Sequence, residues 1–352
     1  MIAFFDMFDY PLTFNEIWLY LSVKGELSEV IMALEEWSES VISTSEGEEK
    51  SLKGESGKYK GFLPTVEMTS KNGFYFLAGR GAIVEERLRR YNFTGRKFKR
   101  AILVSKIFKF IPWIRMIAVG NLMGGHNLKD SSDIDFFIVA ENKRIWLVRF
   151  FCAGLAKFLG LRPQAGNSRD KICLSFYASD RAMELNGLML NVFPNAALKG
   201  FLADARNDNA KEDIYFIHWL AGLTPIYDQG GVYEKLISAN PWLKNYFPNW
   251  TAAAFAMADK ETMAGKRPVF LSRWRDAGSP LPRFYRDAVD LFFGGLEPQF
   301  KALQLKLLPL ELKNLMNRDS RVIINDQIIK LHVNDRREEY RKKYFEKINN
   351  LL

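Results

Sequence analysis

Apolar residues recur at helical spacing near the start of the chain and predict two short helices. The first begins with Thr13 as N-cap and Glu16 three residues later, the pattern of a capping box. After the second helix, residues 43–60 are rich in Ser, Gly, Glu and Lys, and the short apolar run 73–80 then indicates a strand. Helices followed by a β-wing are typical of a winged helix, so we predict a winged-helix-like module at residues 1–80.

Longer apolar runs in the middle of the chain predict strands that are buried on both faces. A basic helix is expected from about residue 82 to 110, and the apolar strand IRMIAV follows it. After a Gly-rich polar loop, a second apolar strand, DIDFFIV, begins with two acids. A helix and a third apolar strand, KICLSFYA, continue this segment, to which we assign residues 81–230.

The last part of the chain, residues 231–352, is predicted to be mainly helical. Its helical patterns are interrupted by prolines such as Pro309, residues 317–337 are predicted to be rich in turns, and a charged helix follows. Mixed charges at short spacing in that helix predict i,i+4 ion pairs. The three segments together predict an α+β protein, in which a small mixed β-sheet lies between a winged-helix-like module and a helical region.

The two acids in DIDFFIV, Asp133 and Asp135, carry the clearest chemical signal in the sequence. Residues i and i+2 of a strand point to the same side, so the two carboxylates lie together. Like charges this close raise each other's pKa unless a cation lies between them. We therefore predict a metal site. The alternative is that the acids cap a helix or pair with arginines such as Arg144 and Arg149.

Composition narrows the class of protein. No apolar run is long enough to cross a bilayer, and the N-terminus has no basic region before its apolar residues, so we predict a cytoplasmic protein without a membrane segment. Cys152 and Cys173 belong to no CxxC motif or Cys/His cluster, so a disulfide framework and a zinc site are both disfavoured, and buried free thiols are expected. The three histidines are scattered and are expected to be surface or packed residues rather than metal ligands.

Charge is unevenly distributed along the chain, whose net charge is +9. Residues 87–100 are strongly basic, and we favour a solvated helix face there over a contact with nucleic acid or a triphosphate. The candidate recognition helix of the N-terminal module carries Glu29, Glu35 and Glu36 and no Lys or Arg. Because a phosphate backbone would repel this helix, we do not favour DNA binding by it.

The central motif resembles that of the DNA polymerase β-like nucleotidyltransferase superfamily. In that superfamily an apolar strand ends in Gly-Ser or Gly-Gly, and an Asp-x-Asp motif follows in a second apolar strand about a dozen residues later. Here the first strand ends at Gly120 and Asn121, and Asp133 and Asp135 follow. Together with the N-terminal segment and GFYFLAGR, the motif also resembles a group of uncharacterised bacterial nucleotidyltransferase-domain proteins.

The resemblance implies a reaction and a set of site residues. Superfamily members bind a nucleoside triphosphate (NTP), ATP among them, with Mg²⁺ or Mn²⁺, and transfer the nucleotidyl group to a hydroxyl acceptor. By position, Asp133 and Asp135 would be the catalytic metal ligands, and the turn at Gly120 and Asn121 would hold the triphosphate with help from Ser132. The acceptor would be a small molecule, a protein or an RNA.

Two departures from the superfamily pattern leave a second function open. Asn121 stands where the superfamily has Ser or Gly, and the strand KICLSFYA lacks the third acid that active members place on it. The strand residues that could face the site are Lys171, Cys173, Ser175 and Tyr177, or their neighbours in the other register. Asp170 precedes the strand and would serve only if the strand began later. The alternative function is therefore a catalytically degenerate nucleotide-binding or regulatory module.

Overall fold

The computed structural model describes residues 1–44, 68–120, 128–164, 166–190, 213–250 and 281–351, with side chains from 36 to 44, at 68 and 69, and at 351 left undescribed. The chain divides into two compact units. The first comprises residues 1–89, 242–257 and 339–352, and the second comprises residues 90–241 and 258–338. These limits differ from the predicted boundaries at 80/81 and 230/231, because both units contain segments from distant parts of the sequence.

Helices surround a small antiparallel sheet in the first unit. The strands are β1 (Leu12–Thr13), β2 (Met68–Lys71) and β3 (Phe74–Leu77), in the order β1-β3-β2. The helices are α1 (Ile2–Asp6), α2 (Phe14–Leu19), α3 (Leu27–Thr44), the start of α4 (Ala82–Phe108), α8 (Leu243–Tyr246) and most of α12 (Arg337–Leu351). The turn between β2 and β3 is Asn72-Gly73, and both residues have the positive φ that such a hairpin turn requires.

The capping box predicted at the start of α2 is present, and its Glu16 makes an additional contact with a distant residue. Thr13 and Glu16 form both hydrogen bonds of the capping box at the start of α2. Glu16 also binds the guanidinium of Arg87 from α4, at 2.7 and 2.9 Å. Arg87 is 1% exposed and lies over the ring of Tyr10. A basic residue that the sequence places on a solvated face therefore belongs to the core.

A six-stranded mixed sheet forms the centre of the second unit. Its strands are β4 (Ile114–Val119), β5 (Ile134–Ala140), β6 (Ile172–Ser179), β7 (Thr224–Asp228), β8 (Val322–Ile324) and β9 (Ile328–Leu331), in the order β7-β4-β5-β6-β9-β8. The pair β5–β6 is parallel, and the other pairs are antiparallel. The parallel pair brings the starts of β5 and β6 to the same edge of the sheet.

The helix that connects the parallel strands, α5 (Ile145–Phe158), packs against the sheet with the buried face that its apolar residues predict. No side chain of its own caps α5. Instead, Glu297 of a later helix accepts hydrogen bonds from the backbone N–H groups of Trp146 and Leu147. The remaining helices of this unit are the rest of α4, α6 (Ile214–Ala221), α7 (Val232–Ser238), α9 (Arg283–Phe293), α10 (Glu297–Lys306) and α11 (Leu310–Leu315).

The segment 317–337 is the clearest difference between sequence and structure. It was predicted to be rich in turns within a helical region, and it contains the hairpin β8–β9, whose second strand pairs with β6. The runs VII and IIKL are too short for a clear strand pattern, and pairing with an existing sheet stabilises them. The mixed α+β class is confirmed, whereas the winged-helix and nucleotidyltransferase architectures stay predictions. Among the helices described, none has the length and apolar character that crossing a membrane requires.

Candidate functional site

Asp133 and Asp135 lie together at the start of β5. Asp133 immediately precedes the strand, and Asp135 is its second residue, while the neighbouring Ile134 and Phe136 are buried in the core. Because successive residues of a strand point to opposite faces, Asp133 and Asp135 share one side, and Ile134 and Phe136 share the other. Both carboxylates are only partly buried. They are therefore both close to each other and open to a ligand.

The third member of the site is a thiol. In the parallel pair β5–β6, Asp135 lies opposite Cys173. One ligating atom from each of Asp133, Asp135 and Cys173 lies within 4.8 Å of the other two, a spacing that would allow all three to hold one cation. Both cysteines are free; Cys152 is buried as predicted, whereas Cys173 is only partly buried. The sequence left two registers of β6 open, with Cys173 facing the site in only one of them, and the sheet pairing decides for that one.

Burial and like charge act on the ionisation of this cluster. Burial, followed by the charge of Asp133, raises the pKa of Asp135 to about 7. Burial also raises the pKa of Asp133, although the charge of Lys97 opposes this shift. Burial and then the charge of Asp135 raise the pKa of the Cys173 thiol. All three groups are thus pushed toward their neutral forms, and a bound cation would favour their ionised forms instead.

Gly120 lies directly beside the acids. Its N–H donates to the backbone carbonyl of Asp135 at 2.9 Å. A Cβ at this position would meet Nε1 of Trp219 at 2.8 Å, so glycine is required here by close packing. Trp219 stacks between the rings of Phe176 and Phe216. Asn121, the other residue predicted for the turn, lies outside the described residues, as do residues 122–127 of the loop.

Ser132 lies one residue before the acids and takes part in a turn. Its hydroxyl donates to the carbonyl of Lys129 at 2.9 Å, so this group is engaged within the turn. The buried ammonium of Lys97 donates to the carbonyl of Ser132 at 2.5 Å and to Oδ1 of Asp170 at 2.9 Å. Lys97 therefore holds the segment that leads into Asp133.

Asp170 is part of this lysine network rather than of the metal-ligand cluster. Although burial alone would raise its pKa, hydrogen bonds from Lys97 and Arg96 hold the pKa of Asp170 below its usual value. Among the described residues, the group that could hold a metal consists of Asp133, Asp135 and Cys173 without it. The strand β6 begins at Ile172, one residue after the predicted start at Lys171, and Asp170 lies before it.

Two polar side chains, Ser175 and His332, lie near Cys173, and sequence reasoning did not identify His332. The thiol of Cys173 donates to Oγ of Ser175 at 3.2 Å, and Nε2 of His332 lies 3.0 Å from the same oxygen. His332 follows β9, the strand that pairs with β6. A lone histidine in a segment predicted to be turns gave no signal, because only the strand pairing brings it to the site.

The arginines offered as partners of the acids are engaged elsewhere. Arg144 pairs with Asp290, and Arg149 donates to Oε1 of Gln304 at 2.6 Å. In the basic stretch 87–100, Arg87, Arg90 and Lys97 are buried. The prediction of a solvated face is wrong for these three residues.

Comparisons of the chain with protein-family models, with curated proteins and with solved structures gave no match.

Proposed function

We propose that this protein transfers a nucleotidyl group from an NTP to a hydroxyl acceptor in the cytoplasm, with a divalent cation at Asp133 and Asp135. The observation that carries the proposal is the convergence of these two carboxylates at one sheet edge, beside Gly120, whose N–H donates to the carbonyl of Asp135. When bound, the cation would neutralise charge on the α-phosphate and activate the attacking oxygen. The resemblance names Mg²⁺ or Mn²⁺ as this cation.

Within this proposal, each described site residue has a role. Asp133 and Asp135 would hold the cation, and Gly120, which packs closely against Trp219, would lie beside the triphosphate. Ser132 and Lys97 position the segment before Asp133 rather than contacting the nucleotide, since both are engaged in hydrogen bonds there. The first unit would be a winged-helix module, a proposal supported by its helices and its β2–β3 hairpin.

A second candidate is a nucleotide-binding module without catalysis. The observation that favours it is that a thiol, Cys173, occupies the place beside Asp135 at which a third carboxylate would complete the site. Asp170 is held by Lys97 and Arg96 and does not replace it. In polymerase-like members the third acid helps to position the metal nearest the nucleophile, so its loss would slow chemistry more than binding.

Transfer of label separates the two candidates. Each of the four α-labelled NTPs would be incubated with the protein and Mg²⁺, Mn²⁺, Co²⁺ or Zn²⁺, in the presence of cell RNA or a metabolite extract. Label transferred to RNA, to a metabolite or to the protein itself, and lost in Asp133→Asn and Asp135→Asn, supports the transferase. Metal-dependent NTP binding without transfer, lost in the same variants, supports the second candidate. Neither transfer nor binding would contradict both.

A third hypothesis, a DNA-binding regulator, has its own test. It predicts binding of duplex DNA by the N-terminal module with strong dependence on salt concentration. Absence of binding at low salt, measured by fluorescence anisotropy with the full chain, would eliminate it.

A further inference from the structure

The sulfur of Cys173 changes which cation the site can take. Mg²⁺ prefers six oxygen ligands in near-octahedral geometry, whereas thiolate ligands select Zn²⁺ and similar borderline or soft cations. Here two carboxylates and one thiol converge, with one ligating atom of each within 4.8 Å of the others. Three protein ligands with a position left for water or substrate are typical of catalytic zinc sites.

The surroundings of the sulfur provide an independent observation. Oγ of Ser175 accepts the hydrogen bond of the Cys173 thiol, and Nε2 of His332 lies within hydrogen-bond distance of that oxygen. Nδ1 of the same imidazole is buried and has no hydrogen-bond partner in the described part of the chain. Ligands of bound metals are usually oriented by such neighbouring polar groups.

We infer that Asp133, Asp135 and Cys173 form a three-ligand site for a thiophilic divalent cation of the Zn²⁺ and Co²⁺ class, in preference to Mg²⁺. The inference rests on the proposed function in so far as that function places a cation at the two acids. Metal binding forms a metal–sulfur bond, and the proton of the Cys173 thiol is released to solvent. The remaining position would accept an oxygen of the substrate.

The test uses metal ions alone, without nucleotide, added to the full chain after treatment with a chelator. Co²⁺ bound by a thiolate gives a sulfur-to-cobalt charge-transfer band in the near ultraviolet, and this band is absent when all ligands are oxygen or nitrogen. We expect about one equivalent of Co²⁺ to produce the band, Zn²⁺ to displace it, and an excess of Mg²⁺ to leave it unchanged. Because loss of an outer-shell partner alone typically costs 10–100-fold in metal affinity, Cys173→Ala should weaken Zn²⁺ binding at least about 100-fold.

Two further variants keep the test sharp. Cys152→Ala removes the other thiol, which lies buried in α5, and should retain the band. Cys173→Asp creates a site of oxygen ligands only and should bind Mg²⁺ more tightly than the wild-type chain does. Circular dichroism of each variant reports whether it has folded. The wild-type measurement decides the question even if a variant does not fold.

Three outcomes would overturn the inference: Co²⁺ binding without the band, a band that survives in Cys173→Ala, or displacement of Co²⁺ by Mg²⁺ as effective as that by Zn²⁺. The result is separable from the proposed function. A Cys173-dependent band without nucleotidyl transfer would support the metal site and contradict the proposed transferase activity. Nucleotidyl transfer with Mg²⁺ in a chain that shows no band would support the transferase activity and contradict the thiolate metal site.

Discussion

Two clusters of partly or fully buried polar groups in the second unit differ in how their charges are compensated. In the cluster of Asp133, Asp135 and Cys173, burial and like charge shift every pKa toward the neutral form. The second cluster joins Asp213, Lys330, Asp335 and Arg337. There the guanidinium of Arg337 binds Asp213 at 2.6 Å and Asp335 at 2.8 Å.

Opposite charges dominate the second cluster. Burial alone would raise the pKa of Asp335. Hydrogen bonds from Arg337 and Lys330 nevertheless hold this pKa well below its usual value. Burial still raises the pKa of Asp213 and lowers that of Lys330 to about 8, so the compensation is incomplete. The comparison teaches that buried charge by itself does not mark a functional site. In the group of two acids and a thiol, either protonation or a bound cation would relieve the repulsion, and the second possibility is the basis of the proposed metal site.

The largest expected effect comes from breaking the compensated cluster. Arg337→Ala leaves the carboxylates of Asp213 and Asp335 buried without their main partner. Removing one partner of a buried ion pair typically costs about 3–5 kcal/mol, so we expect a loss of this size in the free energy of unfolding. Urea unfolding followed by tryptophan fluorescence measures it. A loss below about 1 kcal/mol would show that this cluster contributes little to stability.

The second largest expected effect is a gain in the free energy of unfolding, and it comes from the cluster of Asp133, Asp135 and Cys173. Burial raises the pKa of Asp135 from 3.8 to about 7, so the folded state holds the proton more tightly than the unfolded state. This contribution to stability is present below pH 4 and is lost as the pH rises to 7. In the metal-free protein, Asp135→Asn should therefore increase the free energy of unfolding at pH 8, by on the order of 2 kcal/mol.

The control for this variant is pH itself. At pH 4 the wild-type carboxyl is protonated in the folded state, and the difference between the two proteins should nearly vanish. Urea unfolding at pH 4 and pH 8, with chelator present, gives both values. Destabilisation by Asp135→Asn at pH 8 would contradict the view that the site is uncompensated.

A smaller effect tests how tightly the site is packed. Gly120→Ala would bring a Cβ to 2.8 Å from Nε1 of Trp219, and overpacking of this kind typically costs about 1–3 kcal/mol. Trp219 fluorescence should shift as well. The matched control is Gly95→Ala within α4, where the added Cβ has no atom within 4 Å. Because alanine favours a helix over glycine, this control should gain about 0.5–1 kcal/mol. Equal effects would contradict the packing argument.

The smallest expected change in the free energy of unfolding comes from an exposed ion pair, which differs from the Arg337 cluster in its burial. Lys343 and Glu339 form an exposed i,i+4 pair at 2.7 Å on α12, the same helix that begins at Arg337. Such pairs contribute about 0.3–0.5 kcal/mol, so Lys343→Ala should change the free energy of unfolding by no more than that. Urea unfolding beside Arg337→Ala makes the measurement. A loss comparable to that of Arg337→Ala would remove burial as the explanation of the difference.

Local pattern predicted several features of this protein correctly. The capping box at Thr13 and Glu16, the long helix from residue 82 and the strand that begins directly after Asp133 and contains Asp135 follow from spacing alone. These signals act over a few residues, because helix and strand periodicity bring neighbours in the sequence onto one face. The convergence of the two acids needed no more than this period.

Tertiary structure decided what accompanies the acids. Parallel pairing of β5 with β6 brings Cys173 opposite Asp135, and the pairing of β9 with β6 brings His332 behind it from more than 150 positions along the chain. The buried ammonium of Lys97 donates a hydrogen bond to Asp170, a residue that the sequence left open as a possible metal ligand. No local period encodes such contacts, since they depend on strand order and on packing between distant segments. The sequence by itself thus determined a pair of facing acids, and only the fold made its third neighbour a thiol.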